Sequence, residues 1–319
     1  MKIVVMGAGA VGSYYGGLLA RSGEEVHLIG RGDHIRAMQE KGLRVESVVD
    51  GEFSLPPEFV RATENAQQVG PADWVLFAVK GPDTVAAASA LPALLDSRTV
   101  VLTVQNGVDS AERISELLTR KGAGAPVLPG AVYLEATLTS AGVVRHGAGP
   151  RRLVFGERDG AFTPRAEAIR EAFDRTAIPV ELTDRIEVAL WSKFLYICPM
   201  SGMTAMTRKG LRAILDLPET RSVYLSAIRE VEAVARGRGV NLPPDAVDQV
   251  MAFSEGLRDM RSSLQKDLEA GKPLEIDSLA GATVRLGGQA KVPTPVHDVV
   301  YACLKAQDLG AQASAVSVS

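Results

Sequence analysis

The sequence predicts an α/β protein in which a doubly wound, largely parallel sheet is followed by an all-helical domain. Two observations carry this prediction. In the first half, apolar runs of strand length alternate with helical patterns, and the first strand leads directly into a glycine-rich turn. From Asp184 onward, helical periodicity dominates and strand patterns are scarce. We therefore place two domains at residues 1–182 and 183–319.

Composition excludes several classes of protein. The chain has 319 residues, of which 46% are hydrophobic and 23% charged, an ordinary composition with ample material for a core. A net charge of -3 gives no general attraction to nucleic acid or to an acidic membrane. There is no uninterrupted apolar stretch of about 18 residues, so we expect no membrane span.

The cysteines and the start of the chain bear on its location. Cys198 and Cys303 lie far apart and match no metal-binding or redox spacing, so no metal is expected. The first strand begins at residue 2, which leaves no room for a signal peptide. We expect a cytoplasmic protein.

The first strand, Lys2–Met6, is followed by the glycine motif Gly7-Ala8-Gly9-Ala10-Val11-Gly12 and a helical segment, Ser13–Arg21. In such a motif the first glycine permits the tight turn, the second lets the backbone approach a pyrophosphate, and the third lets the helix pack on the strand. The helix N-terminus offers N–H groups to the phosphates. The motif predicts a Rossmann-like dinucleotide site; the alternative is a glycine-rich turn that only packs.

The remaining elements follow in chain order. Strands are predicted at Glu25–Ile29, Trp74–Val79 and Thr99–Val104, with a hairpin-rich extension over Val127–Val144 and Leu153–Gly156. Crossover helices are predicted at Asp83–Leu95 and Ser110–Thr119, and later helices at Asp184–Ile197, Pro218–Arg238, Pro244–Ala270 and Pro273–Leu286. Ligands of such a sheet bind beyond the carboxyl ends of its strands, so we expect the active site in an interdomain cleft.

The end of the second strand bears on which dinucleotide binds. An NAD site usually carries an acidic residue there, whereas this chain has Arg31. A guanidinium pairs well with a ribose 2′-phosphate, so Arg31 favours NADP over NAD. The alternatives are that Arg31 is a surface arginine, or that Asp33 reaches a ribose hydroxyl.

Lys193 falls in the apolar stripe that Ile186, Leu190 and Ile197 form on the predicted helix. A lysine there must extend to solvent, pair with a carboxylate or lose its proton. Because desolvation lowers a lysine pKa, Lys193 is a candidate general acid. A structural ion pair or a snorkelling lysine is the alternative.

Other polar residues lie where a cofactor is expected. Lys80 and Asn106 each come shortly after a predicted strand, although Asn106-Gly107 is also a common turn dipeptide. Glu275 and Asp277 begin a predicted helix, where they would favour its dipole. Alternatively, one of these carboxylates meets Lys193 or the cofactor ribose.

Taken together, these residues resemble the ketopantoate reductase (2-dehydropantoate 2-reductase) family over nearly the whole chain. The resemblance runs through the glycine motif, Arg31, Lys80, Gln105-Asn106-Gly107, Leu190-Trp191-Ser192-Lys193, Ser262-Ser263-Leu264-Gln265-Lys266-Asp267 and Leu274-Glu275-Ile276-Asp277. It implies NADPH-dependent reduction of a small 2-oxo acid, ketopantoate, to pantoate in pantothenate biosynthesis.

The resemblance also assigns roles. Lys193 resembles the proton donor, and Glu275 the glutamate beside the lysine and cofactor. Asn106 and Lys80 resemble the residues that hold the nicotinamide end and the substrate. By the same resemblance, Arg31 binds the 2′-phosphate, the backbone at Ala136 approaches the cofactor, and Ser263 binds the substrate carboxylate.

The chain departs from the family at positions that contact substrate. Asparagines one and two turns after the lysine are replaced by Ile197 and Ser201, and a third, before the serine pair, by Met260. A further one corresponds to Lys209. A lost polar contact changes discrimination strongly, so a more apolar 2-oxo acid is the alternative substrate.

Two further points concern an alternative function and the oligomeric state. A non-catalytic NADP-binding sensor would need only the nucleotide site, and retention of both Lys193 and Glu275 argues against it. The helical domain would support a homodimer, although no motif shows one.

Overall fold

The computed structural model describes residues 1–257 and 260–316, and the chain divides into two compact units. The first comprises Met1–Gln105 and Ser110–Ile186, and the second comprises Asn106–Asp109 and Glu187–Ser319. The short segment Asn106–Asp109 thus groups with the helical unit, although it follows a strand of the sheet.

The first unit is built on one extended sheet. Its strands are β1 (Lys2–Met6), β2 (Glu25–Ile29), β3 (Leu43–Ser47), β4 (Gly51–Leu55), β5 (Val60–Thr63), β6 (Trp74–Phe77), β7 (Val100–Thr103), β8 (Val127–Ser140), β9 (Val143–Phe155) and β10 (Val180–Leu182). Their order is β4-β3-β9-β8-β7-β6-β1-β2-β5, with β10 paired to β9. In this order, the six neighbouring strands β8, β7, β6, β1, β2 and β5 are parallel. Strands β8 and β9 form an antiparallel hairpin.

Helices cover this sheet: α1 (Ala10–Arg21), α2 (Asp33–Lys41), α3 (Thr84–Ala90), α4 (Ser110–Arg120) and α5 (Pro164–Asp174). The parallel strands are apolar on both faces. Ile3 and Val5 belong to one buried cluster, and Val4 and Met6 belong to another. This explains why β1 reads as a continuous apolar run. The α/β prediction with a Rossmann-like sheet is confirmed.

The second unit is helical. It contains α6 (Ile186–Thr207), α7 (Leu211–Asp216), α8 (Pro218–Gly237), α9 (Ala246–Gly256), α10 (Ser263–Glu269), α11 (Ala280–Ala290) and α12 (Pro295–Val316), with a 3₁₀ turn at Glu275–Ser278. Within the described part of the chain, no helix is both long enough and apolar enough to span a membrane.

Two segments that were each predicted as one continuous helix are interrupted in the structure. The predicted crossover helix Asp83–Leu95 is a 3₁₀ turn, then α3, then a second 3₁₀ turn containing Pro92. Proline cannot donate the backbone hydrogen bond that would continue a helix. The predicted helix Pro244–Ala270 is α9 and α10, because the Ser262 side chain accepts from the N–H of Gln265 and starts a new helix.

Two other predicted helices differ at their ends. The prediction for Pro273–Leu286 becomes the 3₁₀ turn and α11, separated at Leu279, whose backbone is not helical. The helix predicted to end at Ile197 continues as α6 to Thr207, passing through Pro199. Buried side chains such as Met203 hold this extension against the core of the unit.

Candidate active site

The glycine motif lies between β1 and α1, and the surroundings of its three glycines fit their expected roles. Gly7 has a φ of +111°, and a Cβ there would lie 2.6 Å from Val79 N. A Cβ on Gly12 would lie 2.0 Å from the Gly7 carbonyl oxygen. Around Gly9, by contrast, no described atom lies within 4 Å of an added Cβ. The loop is therefore closed where it turns and open where a pyrophosphate would approach.

Of the other residues of the first unit predicted to contact the cofactor, Arg31 and Lys80 follow strand ends, whereas Ala136 lies within a strand. Arg31 follows β2 and donates from Nη2 to Asp83 Oδ1 at 2.5 Å. Exposed Lys80 precedes the 3₁₀ turn Gly81–Asp83. Ala136 lies on β8, half-buried, beside an irregularity in the pairing with β9. Arg31 and Lys80 fit a dinucleotide, since they are cationic and follow the strand ends that contact the glycine loop.

Lys193 and Asn106 meet within the second unit. The Lys193 ammonium donates from Nζ to Asn106 Oδ1 at 2.9 Å. Burial lowers the pKa of Lys193 from its ordinary 10.5 to about 8, and the negative charge of Glu275 partly opposes that fall. The lysine therefore holds a proton at neutral pH and gives it up more readily than a surface lysine does.

The two carboxylates of the 3₁₀ turn have different surroundings. Glu275 is half-buried and acts electrostatically on Lys193. Asp277 is exposed and accepts from Tyr301 Oη and Lys305 Nζ, each at 2.7 Å, on α12. Of the two, Glu275 is the one that fits the expected partner of the lysine, and Asp277 ties the turn to α12.

The segment that carries Asn106 is fixed at its other end by an ion pair that the sequence analysis missed. Buried Asp109 pairs through Oδ2 with Arg285 of α11. The sequence offered one signal, since Asp109 follows Gln105-Asn106-Gly107 by two residues, but nothing marked Arg285 as its partner.

Two of the positions where the resemblance predicts asparagines lie on α6. Ile197 and Ser201 lie one and two turns after Lys193, and Ile197 is half-buried while Ser201 is buried. Met260 accepts at its sulfur a hydrogen bond from Tyr196 Oη at 3.0 Å. Tyr196 also packs edge-to-face on Phe253, with ring centroids 4.9 Å apart. Sequence reasoning missed both aromatic residues.

The two neighbouring serines, Ser262 and Ser263, differ in their exposure to solvent. Ser262 is buried, caps α10 and lies 2.7 Å from Thr204 Oγ1. Ser263 is exposed at the first position of α10, so its hydroxyl is the one open to a ligand. Lys209 is exposed beyond the end of α6.

Among the described residues, no group of three or more His, Cys, Asp or Glu side chains is arranged to hold a metal ion.

The chain is similar to known proteins over most of its length. Residues 3–160 match the family described as ketopantoate reductase PanE/ApbA, and residues 185–308 match its C-terminal family. A 2-dehydropantoate 2-reductase of Mesorhizobium japonicum is 30% identical, covering 96% of this chain and 97% of its own.

Solved structures share the fold over nearly the whole chain. A PanE/ApbA family ketopantoate reductase from Ralstonia eutropha JMP134 has a TM-score of 0.87 and 35% identity, covering 98% of this chain and 100% of its own. A D-mandelate dehydrogenase solved with NADH and anilino(oxo)acetate has a TM-score of 0.83 at 22% identity, covering 98% of this chain and 100% of its own, and shares the fold. The chain belongs to the ketopantoate reductase family of oxidoreductases.

Proposed function

We propose that the chain is an NADPH-dependent 2-oxo acid reductase that converts ketopantoate into pantoate. The observation that carries this proposal is the lysine of lowered pKa, Lys193, hydrogen-bonded to Asn106 and influenced by Glu275. The names of relatives such as the Mesorhizobium japonicum enzyme support the choice of substrate. We assign residues 1–182 to cofactor binding and residues 183–319 to substrate binding and proton donation.

In this mechanism, bound NADPH supplies the hydride for the carbonyl carbon. The glycine loop and Arg31 hold the pyrophosphate and the 2′-phosphate. The Lys193 ammonium stabilises the negative charge that develops on the carbonyl oxygen and donates its proton there. Glu275 keeps Lys193 charged until the transfer, because its anion favours the ammonium form. Asn106 orients the ammonium, and the Ser263 hydroxyl binds the substrate carboxylate.

The test is to follow oxidation of NADPH and formation of pantoate together with purified protein and ketopantoate. We expect the two to rise in equal amounts, with NADPH preferred to NADH because of Arg31. NADPH bound without any turnover on ketopantoate or on other 2-oxo acids would contradict the proposal and favour a nucleotide-binding sensor.

We expect the protein to form a homodimer in solution, and light scattering would measure its mass.

A second candidate is reduction of a more apolar 2-oxo acid by the same chemistry. Ile197 and Met260 replace amides that would bond a polar substrate, and Tyr196 and Phe253 add aromatic surface beside Met260. A pocket built for hydrogen bonds rejects an apolar analogue more strongly than an apolar pocket rejects a hydroxyl. A panel of 2-oxo acids with aliphatic and aromatic side chains separates the candidates by their kcat/KM values.

A further inference from the structure

Two carboxylates accept hydrogen bonds from donors of Arg31 and of the residue that follows it. The guanidinium donates to Asp83 Oδ1 at 2.5 Å, and the N–H of the next residue, Gly32, donates to Glu64 Oε1 at 2.8 Å. Glu64 directly follows β5, the parallel neighbour of β2, so it comes from the adjacent strand end. A 2′-phosphate placed here meets donors that are bonded to anions of the protein itself.

The local sequence does not require Asp83 to pair with Arg31. Asp83 immediately precedes α3, a position where an aspartate commonly caps the helix by accepting from its first N–H groups. In the structure its side chain makes no such bond to α3 and pairs with Arg31 instead. Replacing this carboxylate therefore removes no helix cap, and its effect reports on Arg31.

The negative charge of Asp83 determines how the Arg31–Asp83 ion pair affects binding of the cofactor 2′-phosphate. The Arg31 and Asp83 side chains are 71% and 46% exposed, so the pair lies in a high dielectric and adds little to stability. A 2′-phosphate carries more negative charge than Asp83 and competes for the same guanidinium. The displaced carboxylate remains nearby and repels it. The ribose hydroxyl of NADH has no such conflict, because a carboxylate accepts from a hydroxyl.

We propose that Asp83 is a cofactor-selectivity residue. It competes with the 2′-phosphate for Arg31 and holds the preference for NADPH over NADH below the level that Arg31 alone would give. The inference rests on the proposed cofactor function and deepens it, since it names the residue that sets the size of the preference.

The test is the variant Asp83→Asn, which keeps the shape and removes the charge, with Kd measured separately for NADPH and NADH. We expect NADPH to bind about three- to tenfold more tightly, the scale of one exposed like-charge contact with a phosphate. NADH should change by less than about twofold. The gain for NADPH should shrink as salt is raised, because exposed charges are screened.

A matched control removes a charge of the same kind elsewhere in the unit. Glu52 pairs with Arg44 on the surface, and its strand β4 stands at the opposite end of the sheet order from β2 and β5. Glu52→Gln changes the net charge as Asp83→Asn does and should leave both Kd values unchanged. In an Arg31→Ala background, Asp83→Asn should give a smaller NADPH gain, because the residue it competes for is gone.

Three results would overturn the inference: an unchanged NADPH Kd in Asp83→Asn, equal tightening of NADH, or the same gain from Glu52→Gln. Since the readout is binding, it is independent of turnover. If wild-type protein binds NADPH but reduces no 2-oxo acid, the proposed function is contradicted and the inference on Asp83 is not. The Kd values of Asp83→Asn would then still test whether Asp83 affects cofactor selectivity. Wild-type protein that binds neither nucleotide would overturn both.

Discussion

Lys193 is the side chain on which the proposed chemistry depends, and its surroundings make that dependence measurable. We expect Lys193→Ala to lower kcat by about 10²-fold or more, the usual size of a general-acid contribution. Its NADPH affinity should stay close to wild type, because the glycine motif and Arg31 belong to the other unit. Single-turnover rate, NADPH Kd and melting temperature on one preparation check this. A folded variant with near wild-type turnover would remove Lys193 from the mechanism.

The lowered pKa of Lys193 also predicts a pH dependence. A proton donor must be charged, so kcat/KM should fall as pH rises through about 8. Glu275 raises the pKa of Lys193 against the effect of burial, so Glu275→Gln should move this fall to lower pH. A purely structural Glu275 would instead lower the rate at every pH and leave the position of the fall unchanged.

At the residue scale, the sequence predicted what local geometry determines and missed what distant pairing determines. The positions of Gly7, Gly9 and Gly12 follow from a motif of fixed spacing, and the apolar stripe placed Lys193 in a buried face. Asp83, in contrast, lies 52 residues from Arg31 along the chain, and no periodicity links them. Such pairs arise only when the sheet brings strand ends together.

At the scale of elements, strands buried on both faces were predictable, whereas the mixed polar and apolar strands β3 and β4 were missed. β1, β6 and β7 read as continuous apolar runs, whereas β3 and β4 mix charged and apolar residues. Their pairing depends on packing under α1, where Gly17 leaves only enough room for Leu43 and Val45. Tertiary contacts therefore settle what propensity leaves open.

One element-scale prediction concerns the start of α12. Glu230 of α8 accepts from the N–H groups of Val296 and His297 and from the His297 ring; the His297 side chain is buried, and that of Glu230 is 10% exposed. Glu230→Ala should cost about 3 kcal/mol or more, because it leaves a buried charge unpaired. Chemical unfolding measures this. Glu232→Gln on the same helix, which removes a more exposed ion pair with Arg236, should cost at most about 1 kcal/mol.

The same pair carries a pH dependence of stability. Burial lowers the pKa of His297, but the nearby Cys198 and the contact with Glu230 outweigh it and raise the pKa to about 9. A raised histidine pKa stabilises the fold fully below the unfolded-state pKa of about 6.5, and this contribution is lost as pH rises through the folded value. The stability difference between wild type and Glu230→Ala should therefore narrow as pH rises from about 6.5 to about 9, and should change no further above that. A constant difference would show that His297 is neutral in the folded protein.

At the scale of the whole molecule, the residues to which we assign roles divide between the two units. The glycine motif and Arg31 belong to the unit built on the sheet, while Lys193, Asn106 and Glu275 belong to the helical unit. The sequence predicted the two-part organisation from the change in periodicity, but it did not predict that Asn106–Asp109 would group with the helices. That grouping depends on the contacts of Asn106 with Lys193 and of Asp109 with Arg285.

This division predicts that substrate choice can be changed without touching the cofactor. Ile197→Asn and Met260→Asn restore amides where the family uses them and offer partners to the hydroxyl of ketopantoate. We expect the double variant to raise kcat/KM for ketopantoate, relative to an aliphatic 2-oxo acid without that hydroxyl, by about tenfold or more. NADPH Kd should be unchanged.

The control for this exchange is Val223→Asn, which places an amide on an exposed position of α8 in the same unit and should leave the ratio alone. If the double variant binds ketopantoate no better than wild type while remaining folded, the apolar side chains do not set substrate choice. Ser201, Ser263 and other polar groups of the helical unit would then hold ketopantoate without the amides. If Ile197→Asn and Met260→Asn also leave the ratio of kcat/KM values for the two substrates unchanged, the same conclusion follows, because the added amides then make no contact with the ketopantoate hydroxyl.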